Sequence, residues 1–149
     1  VSLVDEPGFL IGPDAEKAGT ILHGTEAVLA TTESSVPWTT IMIRKSFGVA
    51  AAAHYGPDGY VLAWPSAESG PLPLEGGVAV AFKKEIAEAK DPEAKRKELE
   101  EKMAKNQNPF PRAEAFSVHE IIDPRETRKY ISLWAERIQS QLRANLVNR

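Results

Sequence analysis

The chain has 149 residues, 42% of them hydrophobic and 26% charged, enough for one domain with a real core. A net charge of −3 and a pI near 5.7 leave no basic excess for a nucleic-acid surface, and no apolar run is long enough to span a membrane. The absence of cysteine excludes disulfides, thiolate metal sites and a cysteine nucleophile, and fits a reducing cytoplasm.

The chain opens directly in a β-prone run, and Val1 to Val4 predicts a short buried strand ending at Asp5. A strand at the first residue needs neighbours to pair with, and the opening carries neither a Met nor a signal-peptide pattern. The sequence is therefore expected to be a portion of a longer protein. Glu6 to Asp14 reads as a loop punctuated by Pro7, Gly8, Gly12 and Pro13. Asp14 is placed to cap a helix whose Ala18, Ile21, Leu22, Val28 and Leu29 share one face, and Pro37 ends that region. Trp38 to Ile43, apolar and β-branched, predicts a second buried strand. The stretch RKSFGVAAAAHYG (Arg44 to Gly56) reads as a turn into an alanine-rich helix. Gly56 to Gly59 is a turn, and Tyr60 to Trp64 a third strand.

Pro65 to Gly77 reads as a loop leading to a helix from about Val78 to Lys90. Asp91 and Pro92 restart a helix as cap and first residue. Its pairs Glu93–Lys97, Glu98–Lys102 and Glu101–Lys105 stand four apart with the acid first, as on a solvated helix face. Gln107 to Phe116 reads as a second loop and Ser117 to Ile122 as a short strand or extended segment. Asp123 to Glu126 has the pattern of a capping box before a last helix, with Ile131, Trp134, Ile138 and Leu142 on one face. Strands alternating with helices predict an α/β fold with crossover helices, without internal repeat or low-complexity linker.

The side chains offer little chemistry. His23, His54 and His119 lie in three separate segments without metal-ligand spacing, so no metal site is expected. Ser46 sits where a nucleophile elbow would place a serine, but Arg44-Lys45-Ser46-Phe47-Gly48 lacks the first glycine of that motif. No phosphate-loop pattern occurs. What remains is backbone. A strand entering a helix at Phe47-Gly48-Val49-Ala50 leaves amide N–H groups without intrahelical partners, and small residues let a ligand approach them. On pattern alone, close helix–sheet packing and an anion-stabilising turn both explain these residues.

Five segments taken in order carry a resemblance: VDEPGFLIGPDAEKAGTILHGTEAV, VPWTTIMIRKSFGVAAAA, AWPSAES, LEGGVAVAFKKEI and IIDPRETR. Together they resemble the C-terminal part of carboxyltransferase β subunits of biotin-dependent acyl-CoA carboxylases, of the propionyl-, acetyl- and methylcrotonyl-CoA type. The resemblance implies an α/β, crotonase-like ββα superhelix, with residues 1–149 as the later portion of the C domain. Residues 1–90 would form the crotonase-like core and 91–149 a helical tail. It implies transfer of a carboxyl group from carboxybiotin to the α-carbon of an acyl-CoA, the freed biotin nitrogen taking the α-proton. One backbone oxyanion hole in the missing N domain would serve the thioester. A second, in the C domain, would serve the biotin ureido oxygen, and it falls at Val49 and Ala50 with Gly48 just before. Phe47, Ala51 and Ala52 would line the substrate, with Ala52 contributing to acyl selectivity, and Pro73 and Leu74 would line the biotin side.

The implied partners are the acyl-CoA, the N-terminal part of the same protein, a biotin carboxylase or biotin carrier subunit, and further copies in a homo-oligomer; neither nucleic acid nor membrane is expected. The lysine motif of a biotin carrier is absent, so biotin would arrive on a separate polypeptide or domain. Two places depart from the family pattern. Gly48-Val49 stands where two glycines are common, and LPLEGG replaces a more common Met-Gly-Ala. The alternatives are another crotonase-like acyl-CoA enzyme (hydratase, isomerase or decarboxylase) and a non-catalytic assembly subunit.

Overall fold

The computed structural model describes residues 1–57 and 59–147. Five strands form one sheet: β1 (Ser2–Glu6), β2 (Thr39–Phe47), β3 (Tyr60–Ala63), β4 (Glu68–Gly70) and β5 (Glu120–Ile121). The order is β1-β2-β3-β5, with β4 also paired to β2, and every pairing is parallel. β2 is the centre. Its run from Thr39 to Met42 is buried on both faces, as an internal parallel strand requires. The first half of β2 pairs β3, Thr39 opposite Tyr60 and Met42 opposite Ala63. The second half pairs β4, Lys45 opposite Glu68 and Phe47 opposite Gly70.

Strand alternation sorts the core onto two faces. Met42, Val61, Ala63, Ala67 and Val118 form one cluster, with Tyr55 and Ala113 packed on it. Ile41, Leu62 and Ile122 form the other, covered by Trp64, Tyr130 and Ile131. The helices are α1 (Pro13–Lys17), α2 (Thr20–Thr32), α3 (Gly48–Ala52), α4 (Leu74–Ala81), α5 (Lys83–Ala87), α6 (Pro92–Gln107), α7 (Pro109–Glu114) and α8 (Thr127–Val147). Among the described residues no helix is long and apolar enough to cross a membrane.

Several expectations change. The first strand is an edge strand, not a buried one: Val4 is buried but Leu3 is exposed. The helix expected from Asp14 is two pieces, because Gly19 adopts φ +72 and breaks it. Gly12, not Asp14, precedes its first residue. Its apolar face is open in this chain, with Leu22 63% exposed, since what α2 buries is Gly24 under the Phe9 ring and Thr31. The loop from Pro65 contains β4, and the helix after it starts at Leu74 and breaks at Phe82.

Asp91 caps α6 as expected, accepting from the amides of Glu93 and Ala94. The ion pairs differ: Lys95 meets Glu85 and Glu98, and Arg96 meets Glu100. Gln107 to Phe116 holds a helix, because Asn108 accepts from the Phe110 amide and Pro109 supplies a preformed first residue. Asp123 accepts from the Arg125 amide, but it opens a 3-10 turn (Pro124–Glu126), and the Glu126 carboxylate pairs with Lys129. Within residues 91–149, the short strand or extended segment expected from Ser117 to Ile122 is the strand β5, and it pairs β3.

Candidate active site

β2 runs into α3 without a loop. Phe47 ends the strand in extended backbone, and Gly48 then takes φ +63, which reverses the chain within one residue. A Cβ at Gly48 would be strained there and would lie 3.4 Å from the Pro71 carbonyl oxygen. On α3, Ala50 and Ala51 are buried against the sheet, where a small side chain permits close approach. Val49, 65% exposed, and Ala52 face outward. The Val49 and Ala50 amides lie in the first turn, where no helical carbonyl four residues earlier can accept from them. Among the described residues, neither amide appears in a hydrogen bond to a side chain, turn or loop. The turn therefore presents two unengaged amide donors beside small, neutral side chains.

The pairing of Phe47 with Gly70 carries the following loop to this turn. Pro71 places its carbonyl against Gly48, and the Leu72 carbonyl accepts from Nε2 of the buried Gln107 at 3.0 Å. Pro73 and Leu74 follow as the entry to α4, while the Leu72 side chain packs on Gly77. The loop that leads to Pro73 and Leu74 thus passes Gly48 at Pro71. Phe47 and Ala51, singled out as lining the substrate, are buried in this chain. Gln107 carried no signal in the sequence. In the sequence it opens an expected loop, and only the fold shows that it ends α6 and holds the Leu72 carbonyl.

The basic pair has a structural partner. Asp5 sits at a bulge in β1, and both its oxygens accept from Arg44 Nε at 3.0 Å while one also accepts from the Lys45 amide. The Arg44 hydrogen bond, then that amide, hold the Asp5 carboxyl below the usual carboxylate range. Ser46 is not in the turn but inside β2, buried, with its Oγ 2.8 Å from the Tyr55 hydroxyl. A buried serine with a phenol as its partner has no general base, and the elbow reading falls. The three histidines remain apart: His23 meets Glu26, His54 meets Ser2, and His119 Nδ1 accepts from the Val61 amide. Among the described residues, no group of three His, Asp or Glu side chains gathers as a metal site.

The turn is open to solvent. A cavity of about 330 Å3 lies between Trp38 and Trp134, and one of about 510 Å3 over the start of α6, and neither includes α3.

All 149 residues match the carboxyl transferase domain model. The chain belongs to the carboxyl transferase domain family. This carboxyl transferase domain is 40% identical over 136 residues to the methylmalonyl-CoA carboxyltransferase 12S subunit of Propionibacterium freudenreichii subsp. shermanii, covering 89% of this chain and 26% of that protein. It is 39% identical over 133 residues to the propionyl-CoA carboxylase carboxyltransferase subunit of Haloferax mediterranei, covering 86% of this chain and 26% of the relative. Among solved structures, transcarboxylase 12S with methylmalonyl-coenzyme A and methylmalonic acid bound superposes with a TM-score of 0.82 at 38% identity, over 93% of this chain and 27% of that one. The domain has the crotonase-like α/β fold of these neighbours, and it spans about a quarter of the length of the curated relatives it matches.

Proposed function

We propose that the chain is the C-terminal portion of a carboxyltransferase subunit of a biotin-dependent acyl-CoA carboxylase. Its turn from Gly48 to Ala50 would be the oxyanion hole for the biotin ureido oxygen. The observation that supports this is the pair of unengaged amides, Val49 and Ala50, on a turn whose conformation Gly48 enforces. Biotin, when bound, supplies the nitrogen that carries and releases the carboxyl group. Fixed N–H donors at Val49 and Ala50, with no competing charged side chain, would hold its ureido oxygen and favour negative charge developing there. The replacement of a second glycine by Val49 leaves the donor in place, because the side chain stands outward and the amide does not depend on it.

The open face of the turn supports a site completed by another surface, with the acyl-CoA held by the N-terminal part of a facing subunit. The family supports a carboxyl transferase domain that would act with a biotin-bearing partner in an oligomer. The assignment to this turn and to a particular partner is the proposal.

Val49→Pro in the complete subunit tests the reading. Proline is tolerated in the first turn of a helix, and it removes only an N–H that has no intrahelical partner. Transfer from carboxybiotin to acyl-CoA is expected to lose roughly a hundredfold or more in kcat, the effect of deleting one preorganised donor, about 3 kcal/mol. The KM for acyl-CoA and the melting temperature should hold. Full kcat in a correctly assembled enzyme would sink the assignment.

A further inference from the structure

A helix of five residues does not hold itself in place, because one turn carries the whole nucleation cost. What holds α3 lies just past its end, where Ala53, His54 and Tyr55 are each tied to another element by a side chain. Thr31 on α2 donates its hydroxyl to the Ala53 carbonyl at 3.1 Å. Trp38 Nε1 and Thr40 Oγ1 both donate to the His54 carbonyl, at 2.8 and 2.7 Å, and Ser2 Oγ lies 3.1 Å from His54 Nδ1. The fifth contact differs in kind. Ser46 and Tyr55, nine positions apart, flank the turn and α3 on either side, and their hydroxyls meet at 2.8 Å. Ser46 is a rigid anchor, since it lies in ladder register with Glu6 of β1 on one pairing and Ser69 of β4 on another. The Tyr55 ring packs on the Met42–Val61–Val118 cluster whether or not its hydroxyl is bonded.

We propose that the Ser46–Tyr55 hydroxyl pair is a positioning clasp that closes the turn at both ends and aims the Val49 and Ala50 amides at the reacting oxygen. It rests on the reading of that turn given above. Energetics separate the clasp from a merely structural contact. A buried hydroxyl pair replaced by apolar groups of the same shape changes stability little, whereas removing one partner strands the other. Stability and orientation can therefore be moved independently.

The experiment compares Tyr55→Phe, the double variant Ser46→Ala/Tyr55→Phe, and Val49→Pro, all in the complete assembled subunit. Tyr55→Phe is expected to lower both the melting temperature and kcat. The double variant is expected to regain most of the melting temperature while kcat for carboxyl transfer stays down roughly tenfold, the order that small misplacement of a reacting group costs. KM for acyl-CoA should stay within about twofold of the parent, since the clasp does not touch that substrate. A double variant with parent kcat beside a crippled Val49→Pro overturns the clasp and leaves the turn assignment standing. Parent kcat in both overturns the two together. Should the double variant fail to assemble, Tyr55→Phe alone decides: parent kcat per assembled enzyme overturns the clasp, and a loss of kcat at constant KM supports it.

Discussion

At the scale of single residues, Val49 and Ala52 show how little side chain the proposed site uses. Both face outward from α3, and neither is ionisable. The β-branched Val49 side chain stands 65% exposed and covers no part of the core. Ala52 is small and neutral, which suits an apolar acyl tail passing close to α3. A carboxylate there would have to be desolvated against such a tail. Ala52→Asp is therefore expected to raise the ratio of kcat/KM for short over long acyl-CoA substrates by about tenfold, on the scale of one to three kcal/mol per discriminating contact. Equal ratios across a series of acyl lengths would remove Ala52 from the selectivity surface. The passage from strand to helix at Phe47-Gly48-Val49-Ala50 was legible before any fold was known, whereas the positive φ of Gly48 was not. Burial of Phe47 and Ala51 was not legible either, because no local pattern tells which side of a short helix meets the sheet.

Individual elements were readable where their boundaries are made by chemistry within three or four residues. Asp91 and Asp123 both accept from amides just ahead of them, as their positions in the sequence required. Asn108-Pro109 does the same for α7, and there the neighbouring prolines disguised a helix as a loop. Asp123 also carries an electrostatic signature. The side-chain hydrogen bond from Arg125, then the Arg125 amide, bring its carboxyl down to about 2 from 3.8. A depressed folded-state value means the stabilisation is present above the unfolded pKa and is lost as pH falls through the folded one. Asp123→Asn keeps an acceptor for the amide but loses the charge. The melting temperature of the parent should exceed that of the variant near neutral pH, and the gap should close between about pH 4 and pH 2. It should also shrink in salt, because Arg125 is 89% exposed and Asp123 is only half-buried. A gap that persists at pH 2 would show that the charge is not its source.

For the molecule as a whole, the last helix belongs to the core. Tyr130 and Ile131 cover the Ile41–Leu62–Ile122 cluster, and Trp64 Nε1 donates to the Thr127 hydroxyl at 2.9 Å. Removing α8 uncovers one face of the central strands. A subunit truncated after Glu126 is expected to lose its cooperative thermal transition, as followed by calorimetry, and a transition retained at the parent temperature would contradict this packing. The sequence by itself determined the buried character of β2, the caps of α6 and of the turn before α8, and the passage from β2 into α3, because each depends on hydrogen bonds or torsions within a few residues. It showed an apolar face on α2 but not that this chain leaves it open, since periodicity says where apolar residues point and not what covers them. Only the tertiary structure decided that Gly70 pairs with Phe47 and brings Pro71 to Gly48, that Gln107 holds the Leu72 carbonyl, and that Ser46 meets Tyr55. Those contacts rest on strand register and on packing between elements distant in the chain, and register is a property of the assembled sheet rather than of any one segment.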